Sequence, residues 1–285
     1  MPVFVPDLRL MPNIRGKKGL TKQETELDQQ LAGYGSAAIA FSGGVDSSFL
    51  LAAAVRAKLE RLKAYMVVSQ FVPKREIDKA IQTVEGIGAD LELLAADILA
   101  EDQVAQNTKN RCYHCKHQIF SLIRERARNQ GFSVFLHAVN RDDLGDFRPG
   151  LKAAEELEFV APLAETGFTK SDIRKAARKM GLEVWNKPSQ SCLATRIPYD
   201  TRIVAADLEK IDQAESFLQD LSFDPVRVRC HGNLARIEVI SSQAARLFDT
   251  PLPERIAKRF KQIGFDYVSV DMIGYKTGNM NHEIL

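Results

Sequence analysis

The stretch Ser42-Gly43-Gly44-Val45-Asp46-Ser47 follows directly on the apolar run Ala37-Ala38-Ile39-Ala40-Phe41. A short buried strand therefore feeds a Gly-Gly turn, and a helix starting at about Ser47 continues through Phe49-Leu50-Leu51-Ala52-Ala53-Ala54-Val55. Two adjacent glycines let the backbone turn sharply and come close to a ligand. The unpaired amides at a helix N-terminus carry partial positive charge and suit a phosphate or pyrophosphate. Ser42, Gly43, Gly44, Ser47 and Ser48 are the expected phosphate cradle, and Asp46 is placed to orient a metal ion or the loop itself. An ordinary strand–turn–helix with a Ser/Gly turn is the plainer alternative.

The spaced Gly-Lys-Ser/Thr ending of a Walker A loop is missing. The turn instead resembles the PP-loop of the ATP pyrophosphatase superfamily. That resemblance implies cleavage of ATP to AMP and pyrophosphate, with an adenylated oxygen displaced by nitrogen or sulfur.

The rest of the chain extends the same pattern. Thr21 and Glu24 make a capping box for a helix to about Ala32. Residues 63–68, 91–95 and 132–138 read as strands, and 74–87 and 112–129 as helices, the last with Ile119, Phe120, Leu122 and Ile123 toward the core. Thr169-Lys-Ser-Asp172 opens another helix that ends at Gly181. Strands alternating with helices imply an α/β fold, a doubly wound parallel sheet, whose ligands bind beyond the strand C-terminal ends. After about Tyr199 the character changes. A helix over 205–221, two β-rich runs at 225–230 and 234–240, helices over 241–248 and 252–263, and a strand at 266–271 suggest a smaller α+β domain. The expected organisation is an irregular lead-in over 1–20, a nucleotide-binding domain over 21–198 and a second domain over 199–285.

A net charge of +2 makes no electrostatic case for nucleic acid. The opening MPVFVPDLRL is too short and too broken by proline for a signal peptide, and no apolar run spans a bilayer. The expectation is a cytoplasmic protein without nucleic-acid or membrane partners. Its four cysteines, Cys112, Cys115, Cys192 and Cys230, then point to metal, cluster or redox chemistry rather than disulfides. Cys112 and Cys115 open a helix at i and i+3 and can bind one metal or cluster. Cys192 lies far along the chain near Arg196, an arrangement that favours a thiolate. It could complete a three-cysteine site for a 4Fe–4S cluster with one open iron. Zinc would require a fourth ligand from His114, His117 or Cys230. The alternative is that these are small apolar cysteines with no shared role.

Several segments together resemble the LarE family of PP-loop, ATP-dependent sulfur transferases. They are Ser42–Ser47, Arg111-Cys-Tyr-His-Cys-Lys116, Asn140-Arg-Asp-Asp-Leu144, Arg148-Pro-Gly150 and Lys187-Pro188 with Cys192-Leu-Ala-Thr-Arg-Ile-Pro198. Arg227-Val-Arg-Cys-His-Gly232, Ala235-Arg-Ile-Glu238 and Gly274-Tyr-Lys-Thr-Gly278 also fit.

The resemblance implies that a carboxylate of a pyridinium dicarboxylate mononucleotide is adenylated at the expense of ATP and Mg2+. Sulfur then replaces AMP. Members with one cysteine at the Cys192 position sacrifice its sulfur; members that also have the Cys-x-x-Cys pair resemble cluster enzymes. With all three cysteines present, Cys112, Cys115 and Cys192 are expected to be catalytic as ligands of a 4Fe–4S cluster, with zinc or no metal as alternatives.

Asn140 and Asp143 are expected at ATP or metal, although the family's usual Asp-Gly-Thr-Asn is here His137-Ala138-Val139-Asn140. Capping of the next element is their alternative role. Arg227 and Arg229 alternate on a strand and share a face, which suits a phosphate monoester. Glu215 and Arg196 are expected near the same substrate, and a solvated face is the alternative. Cys230 and Trp185 are read as packing residues, and His231-Gly232 as a turn. The family's assemblies imply a homo-oligomer. A tRNA-thiolating relative, an amide ligase of the NAD or GMP synthetase type and a redox-sensing nucleotide binder are the competing readings.

Overall fold

A computed structural model of the protein describes residues 19–145, 149–188 and 190–276. Most of the expected lead-in, Arg148, Ser189 and the end of the Gly274–Gly278 motif lie outside the described residues.

In chain order the elements are α1 (Lys22–Tyr34), β1 (Ser36–Ala40), α2 (Val45–Ala57), β2 (Arg61–Val68), α3 (Lys74–Ile87), β3 (Leu91–Ala95), α4 (Asp102–Ala105), α5 (Arg111–Asn129), β4 (Phe135–Leu136), α6 (Pro149–Glu156), β5 (Phe159–Val160), α7 (Pro162–Glu165) and α8 (Lys170–Lys179). Then follow α9 (Ala205–Asp220), β6 (Val226–His231), β7 (Leu234–Val239), α10 (Ser241–Ala244), α11 (Leu252–Ile263) and β8 (Tyr267–Val270). Among the described residues no helix is long and apolar enough to cross a membrane.

The chain forms two compact units. The first holds a five-stranded, all-parallel sheet of order β3-β2-β1-β4-β5. β1 is central, and Ala37, Ala38 and Ile39 are fully buried, as a strand covered on both faces requires. The order runs outward from β1 in opposite directions, so the crevice between the ends of β1 and β4 is the topological switch point. The Gly-Gly turn leaves the end of β1 at that crevice, and Asn140 follows β4 into it. The fold is thus the expected doubly wound α/β sheet.

The local chemistry agrees with the elements. Thr21 and Glu24 form the capping box of α1, and Thr169 and Asp172 that of α8. On α5 Phe120, Ile123 and Ala127 are buried, whereas Ile119 and Leu122 are only half-buried. The apolar run 132–138 yields a strand of only Phe135–Leu136. Its pairing reaches one residue further on each side, through Ala38 N–H to Val134 O and His137 N–H to Val160 O. Short α6 and β5 carried too little periodicity to be read beforehand.

The second unit is not one C-terminal stretch. It takes in residues 70–75 and 97–111 together with the chain from Ser191 onward. Its three-stranded sheet has the order β6-β7-β8, with β6 and β7 antiparallel and β8 parallel to β7. The β6–β7 hairpin turns at Gly232, whose φ is +64°, in keeping with the turn read at His231-Gly232. Cys230 is buried and its thiol donates to Gly232 O at 3.4 Å. Burial pushes that thiol up to about 11, which suits a packing role.

Candidate active site

Gly44 caps α2 with extended backbone and no side-chain bond, so the first amides of a thirteen-residue helix are open to a ligand. The helix begins at Val45, one half-turn earlier than the apolar pattern suggests, because Ser48 N–H already bonds Gly44 O at 3.0 Å. Gly43 has φ +71°, and a Cβ there would lie 2.9 Å from Ala80 Cβ on α3. Only glycine fits both the conformation and the space. Ser47 Oγ donates to Gly44 O at 3.1 Å and sits 3.1 Å from Ser42 Oγ. These two serines therefore brace the turn as well as lining it. Ser48 Oγ is buried with no hydrogen-bond partner among the described residues.

Asp46 projects from the first turn of α2. Its Oδ2 accepts from Lys170 Nζ and from Asn140 Nδ2, the latter at 3.4 Å. Its Oδ1 is buried and has no partner among the described residues. Burial raises the Asp46 carboxyl above the usual carboxylate range; Lys170 opposes this and the charge of Asp143 adds to it. Asn140 Oδ1 accepts from the N–H groups of Asp142 and Asp143 at 3.0 and 3.3 Å, while Asn140 N–H bonds Asp143 Oδ2 at 3.2 Å. Asn140 thus caps the next turn and also touches Asp46 in the first turn of α2.

Two lysines that the motif reading passed over flank this loop. Lys170 opens α8, and its backbone N–H bonds Asp142 Oδ2 at 2.8 Å. Lys187 donates to Gly43 O at 2.9 Å and pairs with Glu76 at 2.6 Å. The signal for Lys187 was its place in the Lys187-Pro188 motif; nothing in spacing connects it with residues 43 and 76.

The cysteines are distributed over both units. Cys112 is exposed and Cys115 half-buried, one turn apart at the start of α5 in the first unit. Cys192 belongs to the second unit, half-buried, where it caps a one-turn helix over Leu193–Arg196. Among the described residues of either unit, no three His, Cys, Asp or Glu side chains gather around one point.

Among the described residues the second unit buries four guanidiniums, Arg111, Arg196, Arg227 and Arg229, with two carboxylates, Glu215 and Glu238. Arg196 makes a bidentate pair with Glu215 at 2.8 and 2.9 Å and also holds Ser191 O and Cys192 O. Glu215 further accepts Val228 N–H at 2.9 Å. Arg229 makes a bidentate pair with Glu238 at 2.9 and 2.8 Å and donates to Thr195 O. Arg227 lies over the Tyr275 ring at 5.1 Å. Burial, then the neighbouring Arg196 charge, lower the Arg227 pKa from its ordinary value, a field that favours an added anion. Arg227 and Arg229 were expected to offer one phosphate a matched pair of forks; instead the fork of Arg229 is taken by Glu238. Trp185 packs under Arg178 at 4.8 Å, in keeping with a packing role.

No protein-family model matches the chain. It is 35% identical over 256 residues to an uncharacterized protein of Synechocystis, covering 90% of this chain and 93% of the relative. It is 34% identical over 245 residues to the pyridinium-3,5-bisthiocarboxylic acid mononucleotide synthase of Lactiplantibacillus plantarum, covering 85% of this chain and 88% of that enzyme. An uncharacterized protein of Methanocaldococcus jannaschii is 29% identical over 239 residues, which are 84% of this chain and 90% of that protein. Similarity to the synthase over nearly its whole length places this chain in the LarE family.

Proposed function

We propose that this chain converts a carboxylate of a pyridinium dicarboxylate mononucleotide into a thiocarboxylate at the expense of ATP. The observation that carries this reading is the similarity to a synthase named for a bisthiocarboxylic acid mononucleotide, which spans 88% of that enzyme. The Gly-Gly turn at the switch point supports the nucleotide half of it.

ATP's phosphates rest on Gly43, Gly44, Ser42, Ser47, Ser48 and the amides of α2. A carboxylate oxygen of the substrate attacks the α-phosphorus, the bond to the bridging oxygen breaks, and pyrophosphate leaves. A sulfur nucleophile then attacks the acyl carbon, AMP leaves with the former carboxylate oxygen, and a thiocarboxylate remains. Mg2+ would be held at Asp46, whose buried Oδ1 lacks a partner, with Asn140 and Asp143 beside it. The cluster of buried guanidiniums around Arg227 supports binding of the mononucleotide's phosphate there, with Arg196, Arg229 and Glu215 shaping that site.

Cys112, Cys115 and Cys192 would hold a 4Fe–4S cluster: thiolates are its proper donors, two stand one turn apart, and none of the three is buried. When bound, such a cluster supplies an open iron that can carry sulfide. Arg196 anchors the backbone of the Cys192 loop whether or not a cluster is present.

The test is iron, acid-labile sulfide and zinc per chain on anaerobically purified protein, with AMP, pyrophosphate and product mass followed under ATP, Mg2+, sulfide and the mononucleotide. About four irons and four sulfides are expected, lost in Cys112→Ala, Cys115→Ala and Cys192→Ala alike. Activity without iron, with Cys192 converted to a desulfurated residue, would instead make Cys192 a sacrificial donor. No AMP with any carboxylate would sink the adenylation reading.

A further inference from the structure

Lys170 has no part in the chemistry just described, yet its ammonium sits on the carboxylate expected to take the metal. Its root is rigid. The Thr169–Asp172 capping box fixes the start of α8, and Asp142 fixes the Lys170 amide. Its side chain is more open to solvent: 36% exposed, against 16% for Asp46. Lys187 is different, with 13% exposure on both it and Glu76 and a second bond to Gly43 O. One lysine is clamped and the other only leans in from solvent.

Asp46 is poorly satisfied without a ligand. Its Oδ2 is shared by Lys170 and Asn140, its Oδ1 has no partner among the described residues, and Asp143 adds a second negative charge nearby. A buried carboxylate in that condition is costly unless a cation neutralises it. A divalent cation on Oδ1 would stand only a few ångströms from the ammonium on Oδ2, and like charges that close repel strongly at low effective dielectric. When metal arrives, the ammonium must leave, and the new negative charge within reach is the polyphosphate that brought the metal.

We infer that Lys170 is a placeholder: it neutralises Asp46 in the nucleotide-free protein and moves onto the polyphosphate when a divalent cation takes the carboxylate. The inference rests on the ATP reading above. A lysine suits such a handover, being a point charge on a flexible stem with no fixed fork geometry. It also predicts that Lys170 affects free metal and metal–nucleotide in opposite directions.

Mn2+ is the probe, read by the loss of its free electron-paramagnetic-resonance signal on full-length protein, with and without ATP. Lys170→Met is expected to bind Mn2+ alone roughly tenfold more tightly than the unaltered protein, and Mn2+·ATP roughly tenfold more weakly. Lys170→Gln should reproduce both shifts, and thermal unfolding shows whether either variant is misfolded. Lys170→Arg keeps the charge and should restore most of the ATP affinity. A merely structural lysine would weaken both affinities or neither, and that result overturns the placeholder. Asp46→Asn separates the two readings: it must weaken Mn2+·ATP binding in every background. If Asp46→Asn changes nothing, or the unaltered protein binds no Mn2+·ATP, the ATP-site reading fails and the placeholder falls with it.

Discussion

At the scale of single residues, Gly43 has two constraints where Gly35 has one. Both have positive φ, +71° and +65°, but a Cβ at Gly35 meets nothing within 4 Å. Gly35→Ala is therefore expected to cost about 1 kcal/mol of strain. Gly43→Ala adds the clash with Ala80 and should cost about 2–4 kcal/mol and lose ATP binding. Urea unfolding with an ATP titration separates the two; equal costs would show that the turn can shift.

His137 stands where the family more often has an acidic residue, and it is buried between Phe120 and Phe159 at ring separations of 5.9 and 6.4 Å. Burial, helped by the Lys116 charge, lowers its pKa to about 4. The imidazole is neutral in the folded protein but takes a proton in the unfolded chain below about pH 6.5. Its contribution is thus complete above pH 6.5 and is lost as pH falls toward 4, by about 2–3 kcal/mol. His137→Phe keeps the ring packing and should flatten the stability profile in that window. An unchanged profile would refute the neutral buried imidazole.

At the scale of elements, the second unit turns on two buried bidentate pairs that join α9 and the 193–196 turn, and β6 and β7. Removing one partner of Arg196–Glu215 leaves an uncompensated buried charge, so Arg196→Met or Glu215→Leu alone should cost about 3–5 kcal/mol. The double variant should regain most of that, because two apolar side chains replace a fully desolvated pair. Denaturant midpoints measure the cycle. Single variants costing under about 1 kcal/mol would mean that water reaches the pair. In the first unit Phe49 on α2 meets Phe168 at 5.3 Å, just before α8, so the helix of the Gly-Gly turn and the helix of Lys170 share a core contact. Phe49→Ala is expected to cost about 3–5 kcal/mol in thermal or urea unfolding.

At the scale of the whole molecule, the second unit is assembled from three stretches of chain. Asn107, fully buried, donates to Ile197 O and Pro198 O and accepts Asp200 N–H, and Ala105 O takes Ile203 N–H. A fragment ending at residue 198 keeps 97–111 but loses the partners that begin at Asp200. Such a fragment is expected to aggregate, while the full chain elutes as a discrete species in size-exclusion chromatography. A soluble fragment with native-like near-ultraviolet circular dichroism would contradict this dependence.

Local features were legible because they obey local rules. Capping boxes at Thr21 and Thr169, the strand over Leu91–Ala95 and the glycine turn after β1 are dictated by hydrogen bonding and sterics within a few residues. The α/β class follows from the alternation of those elements, and the LarE family from motifs spread along the chain. Neither could show that Lys170 lies on Asp46, Lys187 on Gly43, or Glu238 on Arg229, since charged side chains have no periodicity that names a distant partner. Nor could it show that 97–111 packs with residues beyond 191, because the buried polar groups that tie them find each other only once the backbone has closed. Residue type and spacing decide which elements form; packing and the need to pair each buried charge decide which of them meet.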